Sequence, residues 1–164
     1  MSTNNDTSSV IEIPLTKGFV AIVDAIDGNL AQHKWHVKTK SNYAARDTWN
    51  PRHVIYLHRA IMERILGRAL VKGERVDHED LNQMNNTRSN LRLATSSQNG
   101  ANSRAYSNNK LGVKGVSATR GGYAAHITVN KKHLYLGNYK TIEEAKEAYL
   151  EAAKKHHKEF ARGD

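Results

Sequence analysis

Apolar residues in this chain come in short bursts, never in long runs. V-I-E-I-P-L from Val10, G-F-V-A-I-V-D from Gly18 and R-H-V-I-Y-L from Arg52 are rich in β-favouring side chains and are bounded by Gly, Asn and Pro. Bursts of that kind specify short strands. With K-W-H-V-K and N-Y-A-A-R between them, they predict a small curled antiparallel sheet in the N-terminal half. Only 38% of the 164 residues are apolar, and mean hydropathy is -0.69. The core must therefore be limited, which leaves room for one ordinary domain or for a modest domain plus a small one of about 50 to 60 residues.

His58 to Leu66 places Ile61, Ile65 and Leu66 at helical spacing and stops at Gly67, a normal helix terminator. Residues 74–78 read as a strand, 79–90 as a polar, turn-rich loop, and L-R-L-A-T (91–95) as the returning strand. Thr95 or Ser96 then caps a short helix carrying Asn99 and Asn102. Residues 1–9 show no periodicity and are expected to be a disordered start. The polar stretch around 103–112 has linker composition, which sets the boundary near Asn109. Beyond it, V-K-G-V-S-A-T, Y-A-A-H-I-T-V-N and H-L-Y-L-G-N-Y form three strand candidates. A long helix follows over 141–160, opened by the capping box T-I-E-E. Its Ile142, Ala145, Ala148, Tyr149, Ala152 and Ala153 form one apolar stripe that covers one sheet face.

Charge narrows the partner. There are 25 basic and 16 acidic side chains, a net +9, shared between both halves of the chain. A polyanion is the natural ligand. The absence of cysteine excludes disulfides and thiolate metal sites, so a bound metal would be held by His, Asp, Asn or Glu, a donor set suited to a hard cation more than to structural zinc. No apolar run approaches the roughly 20 residues of a membrane span, and the first residues lack a signal-peptide pattern. The protein is expected to be cytoplasmic, in the host cell if phage-encoded, and monomeric in solution, with no small-molecule cofactor. Trp35 and Trp49 read as core or rim aromatics of the N-terminal sheet, and the histidines at 156 and 157 as a solvated helix face.

The segment V-D-H-E-D-L-N-Q-M-N-N-T-R-S-N-L-R-L-A-T-S-S-Q-N, with its preceding Leu57-His58-Arg59 and its leader L-T-K-G-F-V-A-I-V-D, resembles the HNH nucleases of phage and intron-encoded homing endonucleases. The likeness spans roughly residues 10–105, with the ββα-metal motif at about 74–104. It implies hydrolysis of DNA phosphodiesters with His78 as general base. It also implies Asp77 and Asn99 as ligands of one Mg²⁺ or Mn²⁺, and Asn90 as the residue that pins the loop and so positions His78. His58, Arg59, Arg88 and Arg92 are candidates for phosphate contact. Adjacent side chains on a strand point to opposite faces, so for Asp77 and His78 to share a site the strand must end or bulge there.

Residues 112–164 carry K-G-V, Y-A-A-H-I, L-Y-L-G-N-Y and E-E-A-K-E-A-Y-L-E-A-A in the order of the AP2 domain, which they resemble. That likeness implies a three-stranded sheet, backed by one helix, whose open face enters the major groove of double-stranded DNA. Alternation turns Tyr123, Ala125, Ile127, Val129, Leu134 and Leu136 inward. Ala124, His126, Thr128, Asn130, His133 and Tyr135 then face outward, joined by Lys114, Ser117, Thr119 and Arg120. The whole is an α+β, two-domain chain: a nuclease domain at 10–105, a linker at 106–111 and a DNA-reading domain at 112–164. A homing or mobile-element role with strand nicking is expected. The rivals are a catalytically silent DNA-binding regulator and a basic RNA-binding protein.

Overall fold

The computed structural model describes residues 9–49, 51–103, 105 and 109–162. Most of the expected disordered start (1–8) and the first half of the expected linker (106–108) lie outside the described residues. Ser9, assigned to that start, is tied down, its carbonyl accepting from the Ala25 amide at 2.9 Å. The chain divides into two compact units, Met1–Leu93 and Ala94–Asp164.

The N-terminal strands of the first unit build two small sheets where one was expected. β1 (Val10–Pro14) pairs antiparallel with β2 (Val20–Asp24). Ala25–Gln32, for which the sequence pattern offers no element, winds into 3-10 turns. β3 (His36–Val37), β4 (Ala44–Trp49) and β5 (Arg52–Tyr56) form an antiparallel sheet in that order. α1 (Leu57–Leu66) follows β5 without a break and ends at Gly67, whose φ of 65° is the left-handed conformation that a helix stop favours. α1 buries Leu57, His58, Ile61 and Met62, whereas Ile65, expected inside, is 40% exposed. The buried face thus runs through 57, 58, 61 and 62. Leu57, Ile61 and Met62 share one core with Ile13, Val23, Leu30 and Trp35. β6 (Arg75–His78) and β7 (Leu91–Ala94) make the last, two-stranded sheet.

In the second unit, α2 (Ser96–Asn102) starts at Thr95, whose hydroxyl accepts from the Gln98 amide while the Gln98 side chain accepts from the Thr95 amide. β8 (Val116–Thr119), β9 (Gly122–Val129) and β10 (Lys132–Tyr139) form an antiparallel sheet with β9 central. α3 (Ile142–His157) begins at the expected capping box, Thr141 with Glu144, and lays Ala145, Tyr149 and Ala153 against Val116, Ala125 and Ile127. It stops at His157, which is buried and not on the solvated face expected for it, and Lys158–Phe160 is a 3-10 turn. Gly115 cannot be replaced: its φ is +72°, and a Cβ there would lie within 2.2 Å of the Tyr149 ring.

α2 was expected to belong with the nuclease domain, yet it falls in the second unit. Ala94 and Ala101 share a small core with Phe160, the far end of the chain. No helix among the described residues is long and apolar enough to cross a membrane.

Candidate active site

β6 ends at His78, and Val76, Asp77 and His78 are buried in succession. Three consecutive buried side chains are possible because the pleat stops there. The Leu81 amide turns back to the His78 carbonyl at 3.0 Å, and Leu81 itself has a positive φ of 63°.

The loop over 79–90 has no apolar core of its own, and amides hold it. Asn90 donates through Nδ2 to Asp80 Oδ1 (2.9 Å) and to the Asn85 carbonyl (2.7 Å), and its Oδ1 accepts from the Asp80 amide (3.0 Å). The same loop is stapled to β2, the Ile22 amide donating to Met84 O and the Asn86 amide to Ile22 O, both at 2.8 Å. Burial alone would raise the Asp80 pKa, but the hydrogen bonds from the Asn82 amide, Asn85 and Asn90 outweigh it and hold the carboxyl below its ordinary value.

One residue here was missed in the sequence. Asn86, 1% exposed, donates through Nδ2 to the carbonyls of Gln83 and Met84 (3.2 and 3.0 Å). Its nitrogen is thereby committed to carbonyls, so it is Oδ1 that faces His78 Nε2 at 3.3 Å. An amide oxygen can only accept, so Nε2 carries the proton and the lone pair of the neutral imidazole sits on Nδ1. Asn90 acts on the loop, and Asn86 touches the ring. The tract Asn85-Asn86 read only as a turn, and nothing in its local pattern marks which amide reaches inward.

His78 sits in an aromatic cage. Its ring centroid is 5.3 Å from His58 and 5.8 Å from Tyr43, and Tyr56 lies 5.7 Å from His58. Desolvation lowers the His78 pKa, partly offset by Asn86, Asp80 and Asp77. His58, expected at a phosphate, is instead 7% exposed, and its Nδ1 has no hydrogen-bond partner among the described residues. Burial, then the neighbouring His78 and Arg59, push its pKa down to about 3. His58 is therefore a neutral wall of the site, and it has no charge to offer a phosphate.

The arginines divide. Arg88, expected at DNA, grips the fully buried Asp27 through Nε (2.7 Å) and a second guanidinium nitrogen (3.1 Å), with Arg64 on the same carboxylate at 3.1 Å. Its amide also donates to Asp24 at 2.6 Å. That is an internal strut. Arg92, also expected at DNA, donates through Nε to Asp77 Oδ2 at 2.9 Å, with its side chain 16% exposed. Arg59 is half-buried.

A buried Asp77 carboxylate beside neutral imidazoles suits a hard cation that takes one or two protein oxygens and completes its shell with water and phosphate. Among the described residues no cluster of three or more His, Asp or Glu side chains could hold an ion unaided.

In the second unit, Asn99 is half-buried on α2, its amide donating to Thr95 O at 3.0 Å. Lys114, expected on the DNA face, gives its ammonium to the α2 carbonyls of Gly100 (2.8 Å) and Ala101 (2.5 Å) and to Ser103 (2.8 Å). It caps a helix C-terminus. Ser117, Thr119, Arg120, His126, Thr128, His133 and Tyr135 are all exposed. Thr128 Oγ1 and His133 Nδ1 are 2.9 Å apart, Thr119 donates to Asn138 at 2.9 Å, and His126 and Tyr135 rings are 5.3 Å apart. Two inward or outward assignments shift: Leu134 is 37% exposed, on an edge strand, and Ala124 is buried.

Comparison with known proteins meets this geometry at the same residues. A family model described as HNH endonuclease matches residues 55–101, a span that holds Asp77, His78, Asn90 and Asn99. A protein of Acanthamoeba polyphaga mimivirus, named as an uncharacterized HNH endonuclease, is 35% identical over 132 residues, which is 80% of this chain and 67% of the relative. No solved structure matches. Helix, hairpin and loop thus agree with a likeness that extends over most of both chains, and the chain belongs to the HNH endonucleases, a family of nuclease enzymes.

Proposed function

We propose that this nuclease hydrolyses phosphodiester bonds in duplex DNA with one divalent ion, Mg²⁺ or Mn²⁺, per site, and that His78 is its general base. The observation that supports this most is the tautomer held by Asn86, which puts the imidazole lone pair on Nδ1 inside a buried aromatic cage. A neutral base near the operating pH can take a proton from water as the water oxygen bonds to phosphorus and the P–O3′ bond breaks. Tyr43, Tyr56 and His58 keep bulk water from that imidazole.

Asp77 is the ligand we assign from the first unit, and Asn99 the one assigned by the family motif. The bound ion would supply charge for the phosphorane and for the leaving oxygen. Arg92 holds Asp77 in orientation, and Asn90 keeps the loop in register. Arg59 remains a candidate phosphate contact. The second unit, read as an AP2-like domain, would recognise DNA through Ser117, Thr119, Arg120, His126, Thr128, His133 and Tyr135. One centre per chain makes nicking by a monomer the expected outcome, in keeping with a homing or mobile-element role. The test is relaxation of supercoiled plasmid. Open-circle product with Mg²⁺ or Mn²⁺, and none with chelator, is expected, and intact plasmid with every divalent ion tried would refute the reading.

A further inference from the structure

Trp49 is 80% exposed, the most exposed of the large apolar side chains among the described residues, whereas Trp35 is 3% exposed in the core. A tryptophan in water forgoes the burial that makes it valuable to a fold, because its side chain carries on the order of 200 Å² of mostly apolar surface. It stands at the distal end of the β4–β5 pair, directly across from Arg52, whose guanidinium lies 5.6 Å from the ring centroid. That pair could serve only to hold the ribbon's end together, but with 80% of the residue exposed most of the indole remains unused.

The register says what this end is attached to. Trp49 and Arg52 oppose each other, as do Asp47 with Val54 and Ala45 with Tyr56. Side chains alternate across a strand, so Trp49, Arg52, Val54 and Tyr56 share one face of the ribbon. Tyr56 is the residue whose ring meets His58 beside His78. The other face is the core side, where Arg46 lies 5.6 Å from the Trp35 ring. The one carboxylate on the outer face, Asp47, has His36 at 3.7 Å and Lys38 at 3.9 Å. The outer face thus runs from an open indole under a guanidinium to the rim of the catalytic cage, with Lys38 beside its acidic group.

We infer that the Trp49–Arg52 end of this ribbon is a DNA-contacting element, the indole wedging between base steps of the duplex and Arg52 meeting the adjacent phosphate. The inference rests on the reading of the protein as a duplex-DNA nuclease and adds a contact to the catalytic unit itself. Four residues separate the Tyr56 and Trp49 positions, about 13 Å of strand, or roughly four base steps of 3.4 Å. The contact would therefore lie about that far along the ribbon from the catalytic cage.

The experiment uses the full chain, a short mixed-sequence duplex and chelator to prevent cleavage. Trp49 is the solvent-exposed emitter of the two tryptophans, and Trp49→Phe identifies its signal. Duplex should quench it. Trp49→Ala should weaken binding on the order of tenfold, with the salt slope unchanged, because an indole wedged between base steps is an uncharged contact. Trp49→Phe should lose far less. Arg52→Ala should lower the salt slope by about 1. Unchanged Trp35 emission shows that each variant is folded. A protein that binds no duplex overturns both the functional reading and this inference. A protein that binds duplex with Trp49 emission and Trp49→Ala affinity unaltered overturns the inference alone, and so does a Trp49→Ala effect confined to self-association.

Discussion

His58 should make the catalytic unit acid-labile by an amount that the structure sets. In the unfolded chain its imidazole titrates near 6.5, and in the fold burial holds it down to about 3. Between those values the unfolded state binds a proton that the folded state refuses. Stability is therefore complete above the unfolded value and falls as the pH drops towards the folded one. At about 1.36 kcal/mol per pH unit, the loss between pH 7 and pH 5 is about 2 kcal/mol from this residue. Trp35, buried in the same core, reports unfolding of this unit. The assay is urea denaturation followed by Trp35 fluorescence at both pH values, for the wild type and for His58→Gln. His78, also held below its ordinary value, contributes to both proteins, so the difference between them isolates His58. Wild type should lose about 2 kcal/mol more than the variant. Equal losses would show that His58 is not the buried neutral group described, and the argument would fail.

Three further outcomes follow from the same geometry. Arg88→Ala should destabilise the first unit by about 3 kcal/mol, since it leaves the buried Asp27 carboxylate with Arg64 alone; an unchanged urea midpoint with a reduced salt slope for DNA would return Arg88 to the phosphate set. Asn86→Ala should cut kcat about tenfold or more with DNA affinity unchanged, and Asn86→Asp, which sets a carboxylate against Nε2, should raise the His78 pKa and move the acid limb of the pH–rate profile upward; unaltered profiles would remove Asn86 from the machinery. Asp77→Ala and Asn99→Ala should each raise the divalent-ion concentration needed for half-maximal cleavage by about 10 to 100-fold, and an unchanged metal titration for both would place the ion elsewhere.

What could be read from the sequence was what is local. The Thr141–Glu144 capping box, the Gly67 stop, the three strands after Gly112 and the strand end at His78 all follow from spacing and residue type within a few positions. What could not be read depends on partners far along the chain. Asp27 is bound by residues 37 and 61 positions away, and no local pattern announces a long-range ion pair. Arg88, Arg92 and Lys114 looked like DNA contacts because an arginine or lysine in a basic chain usually faces solvent, yet each is engaged within the protein. His58 was recognisable as part of the site but not as buried. Asn86 is one of several amides in a single loop, and only the folded loop shows which of them meets His78. Trp49 went the other way: aromatic residues usually belong to a core, and this one does not.

The central claim is that His78 is the base of a metal-assisted phosphodiesterase centre. It is tested most directly by single-turnover cleavage of plasmid DNA with His78→Ala beside wild type, at saturating Mg²⁺ or Mn²⁺ and with DNA affinity measured in parallel. A rate lowered by about 10² to 10⁴-fold at nearly unchanged affinity is predicted, because a general base acts on the transition state far more than on binding. Wild-type turnover by a clean preparation of His78→Ala would contradict the account.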